Sequence, residues 1–202
     1  MALQFNAGHL KEIVDLTACL LEKDDKFIRR CLEQNSSYAE LGLRTITDFN
    51  DERYYQRLVL KALLPSFPFR ARLEYNCAGR PYDIALLDGS NRKPVALGQM
   101  KVWMRQNNKR EVNETDEEIK ALSKQDCAGF MLVFTKYPSE NMEGTPNWLK
   151  HTLDGLRDEN LTMGEVYSRN FSTVIMVKAP TTFPNDFKKG QFDVIGIPLV
   201  KP

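Results

Sequence analysis

The stretch "GFMLVFTKY" (129–137) places the strongest limit on the fold. It is apolar without alternation, whereas a strand with one wet face repeats at period two. A short run of this kind reads as a central strand, covered on both faces. The rest of the chain must then supply neighbouring strands and layers above and below.

The remaining patterns meet that demand. "FRARLEYNC" (69–77) alternates, with Phe69, Ala71, Leu73 and Tyr75 on one face. "RPYDIALLD" (80–88) and "PVALGQMKVWM" (94–104) follow across the short turns "AGR" and "GSNRK", so the three strands read as an antiparallel meander. Late strands are expected at 171–179 and 192–200. Residues 8–34 carry Leu10, Ile13, Val14, Ala18 and Leu21 on one helical face, as one helix or as two pieces broken at Asp24–Asp25. A second helix spans 49–65, capped by Asn50 or Asp51 and stopped by Pro65. A polar helix is expected at 113–125 and another within 145–161, with Pro146 in its first turn. The expectation is a mixed α/β (α+β) fold: a single domain over 1–202 with one central mixed sheet flanked by helices. It has a helical N-terminal extension (1–48), a core (49–137), and a C-terminal helix and strands (138–202) that complete it.

Composition narrows the functions. The net charge of +1 gives no global field for a polyanion or a membrane, so any such partner must meet a local patch. The four cysteines are far apart with no CxxC pair, and His9 and His151 stand alone, which argues against zinc and for reduced, buried thiols in a cytoplasmic protein. No apolar run is long enough to span a bilayer, and no basic start precedes an apolar leader. The phosphate-cradling glycine motifs and the G-x-S-x-G elbow are absent.

The polar residues inside the strands are the informative ones. Gln99, Lys101 and Trp103 share one face of their strand. Counting from a turn centred near Asn91 puts Asp83 opposite Gln99, with Cβ atoms ~5 Å apart, and Lys101 one same-face step further. A carboxylate, an amide oxygen and an ammonium then meet in one small volume. Hard cations take such oxygens and keep several waters. An adjacent lysine would position a water or meet charge building on a phosphate. Residues 89–110 add Arg92, Lys93, Arg105, Lys109 and Arg110 and no acid, a basic border suited to phosphate contacts.

This pattern resembles the PD-(D/E)xK nuclease superfamily, the restriction endonuclease-like proteins. Asp83 matches the first acid, and "QMK" (99–101) matches the second element, with Gln99 in the acid's position and Lys101 as the lysine. Q-x-K variants occur in Mrr-like restriction endonucleases and NERD-type domains. Glu52, in the helix before the sheet, matches the family's upstream glutamate, and Glu74 is a second candidate acid. The proline that normally precedes the acid stands here as Pro81, with Tyr82 between. The resemblance covers residues 49–137 and implies a Mg²⁺- or Mn²⁺-dependent endonuclease acting on DNA, of restriction or phage-defence type and able to act as a homodimer. It implies metal binding by Asp83, Gln99, the Met100 carbonyl and Glu52, with Lys101 at the phosphate. The alternative expectation is a catalytically inactive nuclease-like fold that binds nucleic acid or a protein partner, as an effector or immunity module. In that case Trp103, Tyr54 and Tyr55 would be interface anchors.

Overall fold

A computed structural model of the chain describes residues 4–35, 52–64, 67–89, 93–103, 109–139, 154, 164–176 and 183–199. Its elements are α1 (Ala7–Gln34), α2 (Glu52–Leu63), β1 (Arg70–Cys77), β2 (Arg80–Leu87), β3 (Pro94–Trp103), α3 (Lys109–Ser123), β4 (Ala128–Pro138), β5 (Tyr167–Met176) and β6 (Phe187–Leu199). The strands form one sheet in the order β1-β2-β3-β4-β6-β5. Only β3 and β4 pair in parallel, joined through α3; the other neighbours are antiparallel. A mixed fold with a central sheet flanked by helices is therefore what the chain adopts. The helix expected within 145–161, the Asn50 or Asp51 cap and most of the 35–50 connection lie outside the described residues.

The apolar run occupies the centre of the sheet. Phe130, Leu132 and Phe134 of β4 enter one core with α1 and α2, while Met131 and Val133 enter a second with Ile119 and Leu122 of α3. Alternating side chains on an unalternating sequence thus fill both layers, as a strand covered on two faces requires. The first three strands are the antiparallel meander that their turns implied. β5 and β6 begin earlier than their apolar runs. After Tyr167 and Phe187 the next residues are polar, Ser168 and Arg169 in β5 and Lys188 and Lys189 in β6, so the apolar runs carried no sign of these starts.

Asp24–Asp25 does not break the first helix, which is continuous over 28 residues. Asn6 caps it: its side chain accepts from the His9 amide at 3.1 Å, while His9 Nδ1 accepts from the Asn6 amide at 3.2 Å. Asp25 is fully buried, accepts from Thr173 Oγ1 at 2.7 Å and pairs with Arg29 Nε at 3.0 Å. The acid that reads as a break instead ties α1 to β5. Two further expectations are corrected. Tyr55 and Trp103 are core residues and so not surface anchors, whereas Tyr54 is half-buried. The four cysteines are free thiols, but each is half-buried rather than buried. Among the described residues no helix is long and apolar enough to cross a membrane.

Side chains of neighbouring strands, and the sheet and α1, approach closely at glycines. A Cβ on Gly98 of β3 would lie 2.5 Å from the Phe130 ring and 2.8 Å from Ile84 Cγ2, and one on Gly196 of β6 would lie 2.7 Å from Val14 Cγ2 of α1. Gly98→Ala should therefore overpack the β2–β3–β4 core and cost about 1–3 kcal/mol. The measurement is urea unfolding, where a lower midpoint at unchanged m value is expected.

Candidate functional site

Asp83 sits where the sheet comes apart locally. The β2–β3 ladder runs to the pair Ile84↔Gly98 and ends there. One further step would place Asp83 opposite Gln99, the juxtaposition expected from the turn. On the other side, the β1–β2 ladder passes from Leu73↔Ile84 to Tyr75↔Tyr82 with no pair between. The omitted partner, Glu74, has a φ of 49°, a left-handed conformation costly for a residue with a Cβ. Tyr82 and Ile84, two residues apart, enter opposite cores, so β2 turns over at Asp83.

The carboxylate fills the gap. Asp83 Oδ2 accepts from the Met100 amide at 2.7 Å, and Oδ1 accepts from Gln56 Nε2 of α2 at 2.9 Å. A side chain thus takes a main-chain donor that the ladder has released, which satisfies a buried N–H. The Met100 carbonyl faces the same gap, since both main-chain groups of a strand residue point to one neighbour. Gln99 is nearly buried, and its Nε2 donates to the Pro81 carbonyl at 3.3 Å. Its donor end is engaged, which leaves the amide oxygen as the free acceptor.

These groups surround one cleft of about 270 Å³, lined by Glu52, Arg80, Pro81, Asp83, Gln99, Lys101 and Glu118. Lys101 Nζ lies 2.8 Å from Glu118 Oε1 of α3, with both side chains 19% exposed. Burial works against the lysine's charge. The Glu118 hydrogen bond and charge, with Glu52 and Asp83 beyond, outweigh it and raise the ammonium's pKa above its ordinary value. Lys101 is thus a fixed cation at neutral pH and is not available as a general base. Burial also raises the Asp83 pKa, opposed by the Met100 amide, Lys101 and Gln56 and aided by Glu74. Glu118 is raised by burial too, against Lys101, with the Asp83 charge adding to the effect. Both carboxylates are thus raised chiefly by burial, beside a half-buried cation that opposes the shift.

Of the expected site residues, the fold gathers Glu52, Asp83, Gln99 and Lys101 around this cleft. Glu74 is exposed on β1, near enough for its charge to act on Asp83. The basic border is less defined. Lys93 is exposed just before β3, and Lys109 and Arg110 open α3. Arg92 and Arg105 lie outside the described residues. Sequence reasoning missed Gln56, Arg80 and Glu118. Gln56 was findable, because it lies one turn from Glu52 and shares its helix face. Glu118 was not, because nothing in "NETDEEIK" separates it from its solvated neighbours.

Among the described residues no group of three or more histidine, cysteine, aspartate or glutamate side chains is arranged to hold a metal ion. A cation in this cleft would depend on the carboxylates of Asp83 and Glu52 with two neutral oxygens, the Gln99 amide and the Met100 carbonyl. That donor set suits a hard, partly hydrated ion such as Mg²⁺ or Mn²⁺ and not zinc. No known protein family and no curated protein matches the chain.

The raised pKa of Asp83 gives a signed prediction. Its native state holds the proton more tightly than the unfolded chain does. That advantage is complete below the unfolded value of 3.8 and is lost as pH rises through the folded value, so at pH 7 the buried charge opposes folding. Asp83→Asn keeps an oxygen for the Met100 amide, presents its Nδ2 to a Gln56 amide that turns over to accept it, and removes the charge. Its urea midpoint should exceed wild type at pH 7, and the gain should vanish by about pH 3. A lower midpoint at pH 7 would show that the donors outweigh burial.

Proposed function

We propose that the chain is a metal-dependent endonuclease that hydrolyses DNA phosphodiester bonds, of the PD-(D/E)xK type with glutamine in the second acidic position. The observation that carries this reading is Asp83 in the ladder gap, with Gln99, Lys101 and Glu52 around the same cleft. Asp83, Gln99 and the Met100 carbonyl would hold the cation, and Glu52 would hold it or orient a water beside it. A divalent cation held there would supply Lewis acidity toward a phosphoryl oxygen. Gln56 and the Met100 amide fix the Asp83 carboxylate so that its remaining lone pairs face the cleft. Lys101, kept protonated by Glu118, meets the negative charge that grows on the phosphate oxygens and does not take a proton from water. Arg80 at the mouth adds a second cation for the incoming phosphate. A restriction or phage-defence role, with two copies cutting the two strands, follows from the same resemblance.

A second reading rests on the Lys101–Glu118 pair. The two charges already satisfy one another, as they would in a nuclease-like fold that has kept its polar residues for structure and binds nucleic acid or a protein partner. The two readings part on cleavage. The nuclease should nick plasmid DNA with Mg²⁺ or Mn²⁺, and Lys101→Ala should reduce the rate by at least about 100-fold with circular dichroism unchanged. Asp83→Ala should weaken Mn²⁺ binding in calorimetric titration. Full activity in Lys101→Ala would remove the lysine's role. No cleavage with either cation, with equal Mn²⁺ titrations of wild type and Asp83→Ala, would establish the second reading.

A further inference from the structure

The basic border expected around 89–110 is not the best-defined cationic surface of the molecule. Residues 53–73, "RYYQRLVLKALLPSFPFRARL", contain Arg53, Arg57, Lys61, Arg70 and Arg72 and no acid. All five are exposed. Arg53, Arg57 and Lys61 recur every four residues along α2, so they form one stripe with steps of about 6 Å along the helix axis. Arg70 and Arg72 are not part of this stripe: they alternate along β1 with Ala71 and Leu73, which pack into the core shared with α2, so they face the other side of the sheet, where Arg72 lies over the Tyr75 ring.

The position of this stripe gives it meaning. Glu52 lines the cleft and Gln56 holds Asp83, and each is followed directly by a member of the stripe, Arg53 and Arg57. Successive helix residues are turned by about 100°, so the stripe runs beside the α2 face that forms the cleft wall. The buried face of α2, Tyr55, Leu58, Val59, Ala62 and Leu63, is turned to the sheet. An extended polyanion lying along the stripe would therefore reach the cleft at the start of α2, where Glu52 lines it. An acidic protein surface is the less suitable occupant, because a protein interface needs an apolar centre. Among the described residues the only large exposed hydrophobics are Leu64, just past α2, and Phe27 on α1.

We infer that the outward stripe of α2, Arg53, Arg57 and Lys61, binds the sugar-phosphate backbone of a nucleic acid and leads it to the Asp83–Lys101 cleft. The inference rests on the nuclease reading for its choice of partner, but binding can be read without cleavage. The experiment is fluorescence anisotropy of a labelled DNA duplex with EDTA present, across a KCl series, for wild type and Arg57→Ala/Lys61→Ala. Both residues are exposed, so the double variant should keep its circular dichroism spectrum. The variant should bind about tenfold more weakly at low salt, and its slope of log affinity against log salt should be smaller by about 2. Unchanged affinity and slope would overturn the inference, and so would a wild type that fails to bind DNA at low salt. Displacement of DNA by polyglutamate at a lower charge concentration than by unlabelled DNA would reassign the stripe to an acidic protein. Salt-dependent binding through the stripe with no cleavage under Mg²⁺ or Mn²⁺ would overturn the nuclease reading and leave this one standing. Cleavage with an unchanged salt slope would do the reverse.

Discussion

The hydrogen bond from the Met100 amide to Asp83 Oδ2 organises the candidate site. A sheet can lose a ladder pair in its interior only if something else takes the released N–H, because an unpaired buried amide costs about as much as a lost hydrogen bond. Here the acceptor is a carboxylate, at 2.7 Å. The bond holds β2 and β3 in register beyond their last main-chain pair and fixes a charged group between two strands. It also leaves the Met100 carbonyl and the Gln99 amide beside that charge. The strain at Glu74 belongs to the same local event, since β1 loses its pairing with β2 at the same step.

The layers around the sheet then bring the other groups in. α2 lies over one core and contributes Glu52 and Gln56, whereas α3 lies over the other and contributes Glu118. The cleft is therefore built from both sides of the sheet and from two helices that do not adjoin in sequence. Its electrostatics follow from that assembly. Lys101 alone on a buried strand face would lose its charge readily; with Glu118 at 2.8 Å it keeps it. Burying these acids costs the native state, and a fold selected for stability alone would place apolar residues here.

Much of this was legible in the sequence, and the reasons are specific. The central place of 129–137 follows from a run that would expose apolar side chains on either face if it lay at an edge. The register that points Asp83 towards Gln99, one step past the last ladder pair, follows from a short turn, which leaves a hairpin few registers to choose from. What escaped was whatever the period does not encode. The buried Asp25 within a continuous α1 is met by Thr173, distant in sequence, which donates to its carboxylate. The polar opening residues of edge strand β5 and of β6 beside it are held by pairing with each other and with β4, which no apolar pattern announces. Glu118 looks like any acid on a solvated helix until α3 is set against β3.

By itself the sequence determined the layered mixed fold, its central strand, and the strand positions of Asp83, Gln99 and Lys101, because apolar periodicity and turn length act over a few residues. Only the tertiary structure decided what those three side chains face. The gap at Asp83, the donor from Gln56, the ion pair to Glu118 and the basic stripe beside the cleft depend on how helices settle on a sheet. That is set by long-range packing, including the close approach at Gly98 and Gly196, and not by any local pattern.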